Sequence, residues 1–144
     1  MGGHALKLKT NRKSPEEYRC IKDLVLRILH ENDIVASVPR EVPGKTSYGD
    51  LDVLYVSKVP NIQDLILKMF RPEEIHTNGP YISFNSTILG HSDFQIDMIR
   101  CTPENYEMSK FYLSYGDLGG ILGRICNAYG LKFGSDGLWC ISIH

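Results

Sequence analysis

Apolar positions along the chain alternate between two periods. Tyr18, Ile21, Leu24, Val25, Ile28 and Leu29 recur at three- and four-residue spacing, the pattern of a helix that buries one face. Ser14-Pro15-Glu16-Glu17 reads as a capping box with proline at the first helical position, so a helix is predicted up to about Asn32. Residues 34–38 then read as a short strand, 39–49 as a loop and 51–57 as a strand. Asn61-Ile62-Gln63-Asp64 opens a second helix, which Pro72 stops just after Phe70. Asn78-Gly79-Pro80 is a turn. Residues 81–89 and 94–100 read as strands joined by Gly90-His91-Ser92, giving a hairpin. Thr102-Pro103 caps a short helix to about Tyr112. Ser114-Tyr115-Gly116-Asp117 caps another, whose apolar face carries Leu118, Ile121, Leu122, Ile125, Cys126 and Tyr129, with Gly130 just past its end. Phe133 and Leu138 bracket a hairpin turn at Asp136-Gly137. Gly119, Gly120 and Gly123 interrupt the last helix at up to ~1 kcal/mol each relative to alanine, so the sheet or a ligand is expected to come close to it.

The polar exceptions to this pattern carry the chemistry. Asp50 and Asp52 open the strand before Leu54 and Tyr55. Side chains two apart on a strand share a face, so the two carboxylates project together while Leu51 and Val53 point to a core. At about 4 Å and an effective dielectric of ~20, their repulsion is of order 4 kcal/mol. Asp97 sits in mid-strand on the face opposite Phe94, Ile96 and Met98, where a carboxylate is costly unless it meets a cation or water. Hard oxygen donors suit Mg²⁺ or Mn²⁺. A same-face pair plus a third acid can hold two such ions for phosphoryl or nucleotidyl transfer.

The ordered set Ser47-Tyr48-Gly49-Asp50-Leu51-Asp52-Val53-Leu54 and then Ile96-Asp97-Met98-Ile99 resembles the palm of the DNA polymerase β-like nucleotidyltransferases, closest to the family X branch. Compact nucleotidyltransferases of large DNA viruses look similar. Phe111-Tyr112-Leu113-Ser114 falls where family X has an aromatic pair after the palm, and residues 130–139 resemble its helix end and short hairpin. The likeness covers roughly residues 15 to 140. It implies an α+β fold, a mixed sheet with helices packed on one side and a small C-terminal helix-and-hairpin extension. It also implies one domain over 1–144, made of a basic arm (1–13), a palm-like core (14–110) and a thumb-like end (111–144). The implied reaction moves a nucleoside monophosphate from an NTP or dNTP to a hydroxyl acceptor, a nucleic-acid end first among them, releasing pyrophosphate. Asp50 and Asp52 would bridge two Mg²⁺ (or Mn²⁺) ions, Asp97 would hold the ion that binds the acceptor hydroxyl, and Tyr112 would sit near the nucleotide sugar.

The sequence departs from the family where the triphosphate is held. The usual Gly-Ser pair before the first aspartate is here Pro39-Arg40, and an arginine often found in this loop is Pro43. Arg40, Lys45, Thr46, Ser47 and the Gly49 amide are the replacement candidates. That loss supports an alternative, a non-catalytic protein of this fold that binds nucleotide, nucleic acid or a protein partner. A third reading is a toxin–antitoxin-like or small-molecule nucleotidyltransferase.

Composition narrows the setting. With 144 residues, 42% hydrophobic and 23% charged, the chain has enough material for one ordinary core. Net charge is −1, which gives no general attraction to nucleic acid, so any such partner is expected to bind weakly in isolation. The densest cationic stretch is Lys7, Lys9, Arg12 and Lys13, expected as a solvated arm or as a phosphate contact. The four cysteines lack metal-ligand spacing and read as buried free thiols of a reducing compartment. No apolar run approaches the ~18 residues of a membrane span, and the first residues lack a signal-peptide core. An intracellular location (cytoplasmic, nuclear or virion-associated) without secretion is expected.

Overall fold

The computed structural model describes residues 4–141; residues 1–3 and 142–144, the tips of the expected arm and C-terminal extension, lie outside the described residues. The elements are α1 (Pro15–Glu31), β1 (Val35–Ser37), β2 (Asp50–Val56), α2 (Ile62–Phe70), β3 (Ile75–Asn78), β4 (Tyr81–Phe84), β5 (Gln95–Arg100), α3 (Tyr106–Leu113), α4 (Leu118–Ala128), β6 (Leu131–Gly134) and β7 (Gly137–Cys140). The first five strands form a mixed sheet in the order β1-β2-β5-β4-β3. β2 and β5 run parallel and the other neighbours antiparallel. β6 and β7 form a separate hairpin.

The capping box starts α1 as the sequence implies: the Glu17 amide donates to Ser14 Oγ, and Glu17 Oε1 accepts from the Ser14 amide, both at 3.2 Å. From there Ile21, Val25 and Leu29 of α1 and Ile62, Ile66 and Phe70 of α2 pack with Leu51, Val53, Ile96 and Met98 in the main core. One face of the sheet is therefore covered by two helices.

The other face corrects the expectation that the helices lie on one side. Leu54, Ile99 and Cys101 are buried there, with Val56 of β2 and Tyr106 and Leu113 of α3 packed against them. Ser37 of β1 hydrogen-bonds the Tyr106 hydroxyl. The far half of this face is apolar and needs cover, which α3 supplies. The near half carries the acids and is left open.

Two further expectations change. The tight hairpin is β3–β4, turning at Gly79 (φ +59°) and Pro80. β3 escapes the sequence pattern because three of its four residues are exposed. β4 and β5 do pair antiparallel as expected, but β4 ends at Phe84, so their connection is longer than Gly90-His91-Ser92. Asn85 pins that connection: its Oδ1 accepts from the Glu73 and Glu74 amides at 2.9 and 3.0 Å, and its Nδ2 donates to the Ser92 carbonyl. On α4 the expected apolar face does not turn inward as a whole. Gly119 is buried and Leu122, Gly123 and Cys126 are half-buried, while Leu118, Ile121, Ile125 and Tyr129 are exposed. A Cβ on Gly119 would overlap the Tyr112 carbonyl, so close packing of α4 on α3 requires that glycine. Gly120 faces open space.

The cysteines also differ from expectation. Cys101 is buried and Cys126 half-buried, but Cys20 and Cys140 are exposed, because each lies beside a buried stripe or on the uncovered hairpin. Among the described residues, no helix is long and apolar enough to cross a membrane.

Candidate metal centre

Parallel pairing brings the three acids together. The β2–β5 register sets Asp50 opposite Gln95 and Asp52 opposite Asp97, and residues opposite one another in a sheet share a face. One carboxylate oxygen from each of Asp50, Asp52 and Asp97 can be chosen so that all lie within 4.8 Å of one another. Asp50 and Asp52 are half-buried, and Asp97 is nearly buried, at 9% exposure.

The environment of the cluster opposes its own charge. Burial pushes the Asp52 carboxyl up to about 7, and the charges of Asp50 and then Asp97 add to the effect, with Lys45 opposing. Burial also raises Asp97; the Ser83 hydrogen bond opposes this, the Asp50 charge adds to it, and the Gln95 hydrogen bond opposes. Ser83 Oγ donates to Asp97 Oδ1 at 2.6 Å, and Gln95 Nε2 donates to Oδ1 and Oδ2 at 2.8 and 3.1 Å. Three converging carboxylates, two of them raised, fit a hard divalent cation: it supplies the charge that burial withholds. Mg²⁺ and Mn²⁺ both match this donor set.

The phosphate-side candidates are dispersed. Lys45 joins Asp50 and Asp52 around a cavity of about 100 Å³, bounded by Tyr18, Tyr48, Glu41 and Gly116. Its ammonium lies 4.8 Å from the centre of the Tyr48 ring. Tyr48 stacks on Tyr18 at 3.8 Å, nearly parallel. Glu41 accepts from the Tyr18 hydroxyl at 3.0 Å and from Lys22 at 3.2 Å. Ser47 is engaged by Arg12, whose guanidinium donates to the Ser47 hydroxyl and carbonyl at 2.8 and 3.0 Å. Gly49 is buried at the entry to β2, and Thr46 is exposed. Arg40 lines an adjoining cavity with Phe111, Ser114 and Tyr115. Its backbone amide donates to Ser114 Oγ at 3.0 Å, and its carbonyl accepts from the Tyr115 amide at 2.6 Å.

Tyr112 stands apart from the Asp50–Asp52 cavity. It lines a pocket of about 280 Å³ with Tyr81, Asn105, Ser109, Ser135 and Asp136, between the sheet and the β6–β7 turn. Tyr81 stands opposite Ile99, two residues beyond Asp97 on the same face of β5, and both line this pocket; burial raises the Tyr81 phenol, with the charges of Asp52 and Asp97 adding to it. Leu113 borders both this pocket and the acid cavity.

Gln95, Ser83, Tyr18 and Glu41 also border the acids or their cavity, beyond the residues that the sequence singles out. Gln95 carried a usable signal, since it lies two residues before Asp97 on the same strand face. Ser83 becomes legible only with the β4–β5 register. The expected solvated arm is docked on the sheet through part of its length, with Lys13 and Arg12 engaged and Lys7 and Lys9 exposed. Lys13 Nζ pairs with Asp93 Oδ1 at 2.7 Å, and Asn11 Nδ2 donates to Asp93 Oδ2 at 2.8 Å. Lys13 and Tyr48 exchange backbone hydrogen bonds. Comparison of the chain with models of known protein families and with curated proteins finds no match.

Proposed function

We propose that this chain is a metal-dependent nucleotidyltransferase built on a palm-like sheet of the polymerase β type. The observation that carries the reading is the convergence of Asp50, Asp52 and Asp97 on the open half of the sheet. A scaffold alone gains nothing from carboxylates whose burial and mutual repulsion raise their proton affinity.

When bound, Mg²⁺ or Mn²⁺ neutralises charge on the transferring phosphoryl group and activates the attacking hydroxyl. The chain's own groups divide the remaining work. Asp50 and Asp52 present carboxylates from one strand. Asp97, held by Ser83 and Gln95, presents a third and is the group placed to take the acceptor hydroxyl's proton. Lys45, which borders the acid cavity, would meet the donor phosphates, with Arg40 at the neighbouring cavity. The pocket of Tyr81 and Tyr112, beyond β5, would receive the acceptor. Acceptors of the kind reached this way are a nucleic-acid end or a small hydroxyl compound.

The test is incubation with each labelled NTP and dNTP, Mg²⁺ or Mn²⁺, and a panel of primers, tRNA and small acceptors. Transfer by the parent protein that disappears in Asp52→Asn supports the reading. No transfer together with no Mn²⁺ binding rejects it.

Glu41 and Ser47 favour a second reading. A carboxylate borders the donor-side cavity, and the Ser47 hydroxyl already serves Arg12. Both features disfavour a triphosphate, as in a non-catalytic relative that keeps the fold. Calorimetry with NTPs separates the two readings.

A further inference from the structure

The N-terminal arm crosses the edge of the sheet from which β2 and β5 both set out, and it is tied to several strands there. The Lys7 and Leu8 amides donate to the two carboxylate oxygens of Glu74, just before β3, at 2.7 and 2.9 Å. The Asn11 amide donates to the Asp93 carbonyl at 2.9 Å, and Lys13 bridges Tyr48 just ahead of β2. Leu6 is buried at 6% exposure. Between these anchors, the Ala5 and Leu6 amides donate to a single atom, Gln95 Oε1, at 3.0 and 3.3 Å. Gln95 is itself 2% exposed, and its other amide atom, Nε2, is the one that donates to both oxygens of Asp97.

A glutamine amide has one accepting end and one donating end. Two backbone donors on Oε1 settle which end is which. With the oxygen turned to the arm, the NH₂ group faces the Asp97 carboxylate; with the amide reversed, an oxygen would face a carboxylate and an NH₂ would face two N–H groups. Both reversed contacts repel. The arm therefore fixes the Gln95 amide, and the amide fixes the plane of the Asp97 carboxylate together with Ser83.

We propose that Gln95 is a positioning residue for Asp97 and that the N-terminal arm, through its Ala5 and Leu6 amides, is a working part of the acidic site. The proposal rests on the metal reading of the three acids. Partners behind metal ligands set ligand orientation, and losing one typically lowers metal affinity by about 10–100-fold. The arm thus links the ion affinity of the sheet to the docking of a segment some ninety positions away in sequence.

The test uses the full chain in three forms: the parent, Ala5→Pro and Gln95→Leu. Ala5 is exposed, so proline removes an N–H donor without emptying the core. Three quantities are measured on each form: Mn²⁺ affinity by calorimetry, the side-chain amide NMR signals of Gln95 where it is present, and the thermal midpoint. The expected result for Ala5→Pro is a displaced Gln95 side-chain signal and about tenfold weaker Mn²⁺ binding, with a nearly unchanged midpoint. Gln95→Leu should weaken Mn²⁺ at least as much. A lowered midpoint with parental Mn²⁺ affinity in Ala5→Pro would reduce the arm to a structural strap and overturn the proposal. If the parent binds no Mn²⁺, the metal reading fails separately, and the Gln95 signal decides: displacement by Ala5→Pro sustains the arm–Gln95 link, and an unmoved signal overturns it.

Discussion

Asp52 and Asp97 stand opposite each other on adjacent parallel strands, in register and on the half of the sheet that α3 leaves open. Neither is fully exposed, so water screens their mutual repulsion poorly. Burial raises both carboxyls, and the charge of Asp50 adds to each; elsewhere among the described residues, every buried side-chain nitrogen or oxygen has a hydrogen-bond partner.

That tension gives a pH dependence with a definite sign. The Asp52 carboxyl lies at about 7 in the folded chain against 3.8 for an ordinary aspartate. The folded state therefore binds the proton more tightly than the unfolded state. The associated stabilisation is fully present below about 4 and is lost as pH rises through about 7. Metal-free Asp52→Asn should then be more stable than the parent at pH 8, with the advantage fading toward pH 4, as read by urea unfolding at several pH values. Mn²⁺ should stabilise the parent at pH 8 and have far less effect on the variant. Equal Mn²⁺ affinity in both would count decisively against the site.

Lys45 and Arg40 make separable contributions. Lys45 borders the acid cavity and lowers the Asp52 carboxyl, whereas Arg40 lines the neighbouring cavity. Lys45→Ala should weaken NTP binding by roughly 1.5–3 kcal/mol, the range for a lost hydrogen bond to a charged group. Arg40→Ala alone should cost less, and the double variant most. Titration of each variant with a non-hydrolysable NTP checks the order; parental affinity in the double variant would mean that any triphosphate is held elsewhere.

The glycines of α4 supply a paired test of packing. Gly119→Ala drives a methyl into the Tyr112 carbonyl, so it should destabilise by about 3 kcal/mol or more, the upper end of overpacking. Gly120→Ala meets nothing within 4 Å and should stabilise by up to ~1 kcal/mol through helix propensity. Denaturant unfolding of the two variants side by side checks this, and a reversed order would mean that α4 meets α3 through another face.

Duplex nucleic acid should bind weakly and lose its grip steeply with salt, since affinity for phosphates comes mainly from cations. Net charge is −1, and two of the arm's four cations already serve Asp93 and Ser47. Fluorescence anisotropy with a gapped duplex is the check. Tight binding at physiological salt that survives Lys7→Ser with Lys9→Ser would make a duplex the acceptor.

The sequence displayed the parts of this molecule governed by near neighbours. The Ser14 capping box, the α1 stripe and the shared face of Asp50 and Asp52 follow from spacing alone. What it concealed depends on long-range packing. β3 shows no alternation because its side chains are largely solvated. α3 covers the far half of the acid-bearing face because Leu54, Ile99 and Cys101 meet there, which no single segment reveals. The inward stripe of α4 runs through two glycines, so an apolar count points to the wrong side. Arg12 and Lys13 looked like solvated charge because their partners, Ser47 and Asp93, lie far along the chain.

The parallel pairing of β2 with β5 also governs when the acids can meet. Asp52 and Asp97 are separated by 97 − 52 = 45 positions, and α2, β3 and β4 must all be threaded between them. Such pairings close late, because the entropy of the intervening loop must be overcome before contacts reward it. A chain emerging from the ribosome carries Asp50 and Asp52 as a bare pair until β5 arrives. On the metal reading, a divalent ion would have no complete site in the early collapsed chain and would act as a latch on the finished sheet. The kinetic signature to look for is slower unfolding with Mn²⁺ at an unaltered folding rate.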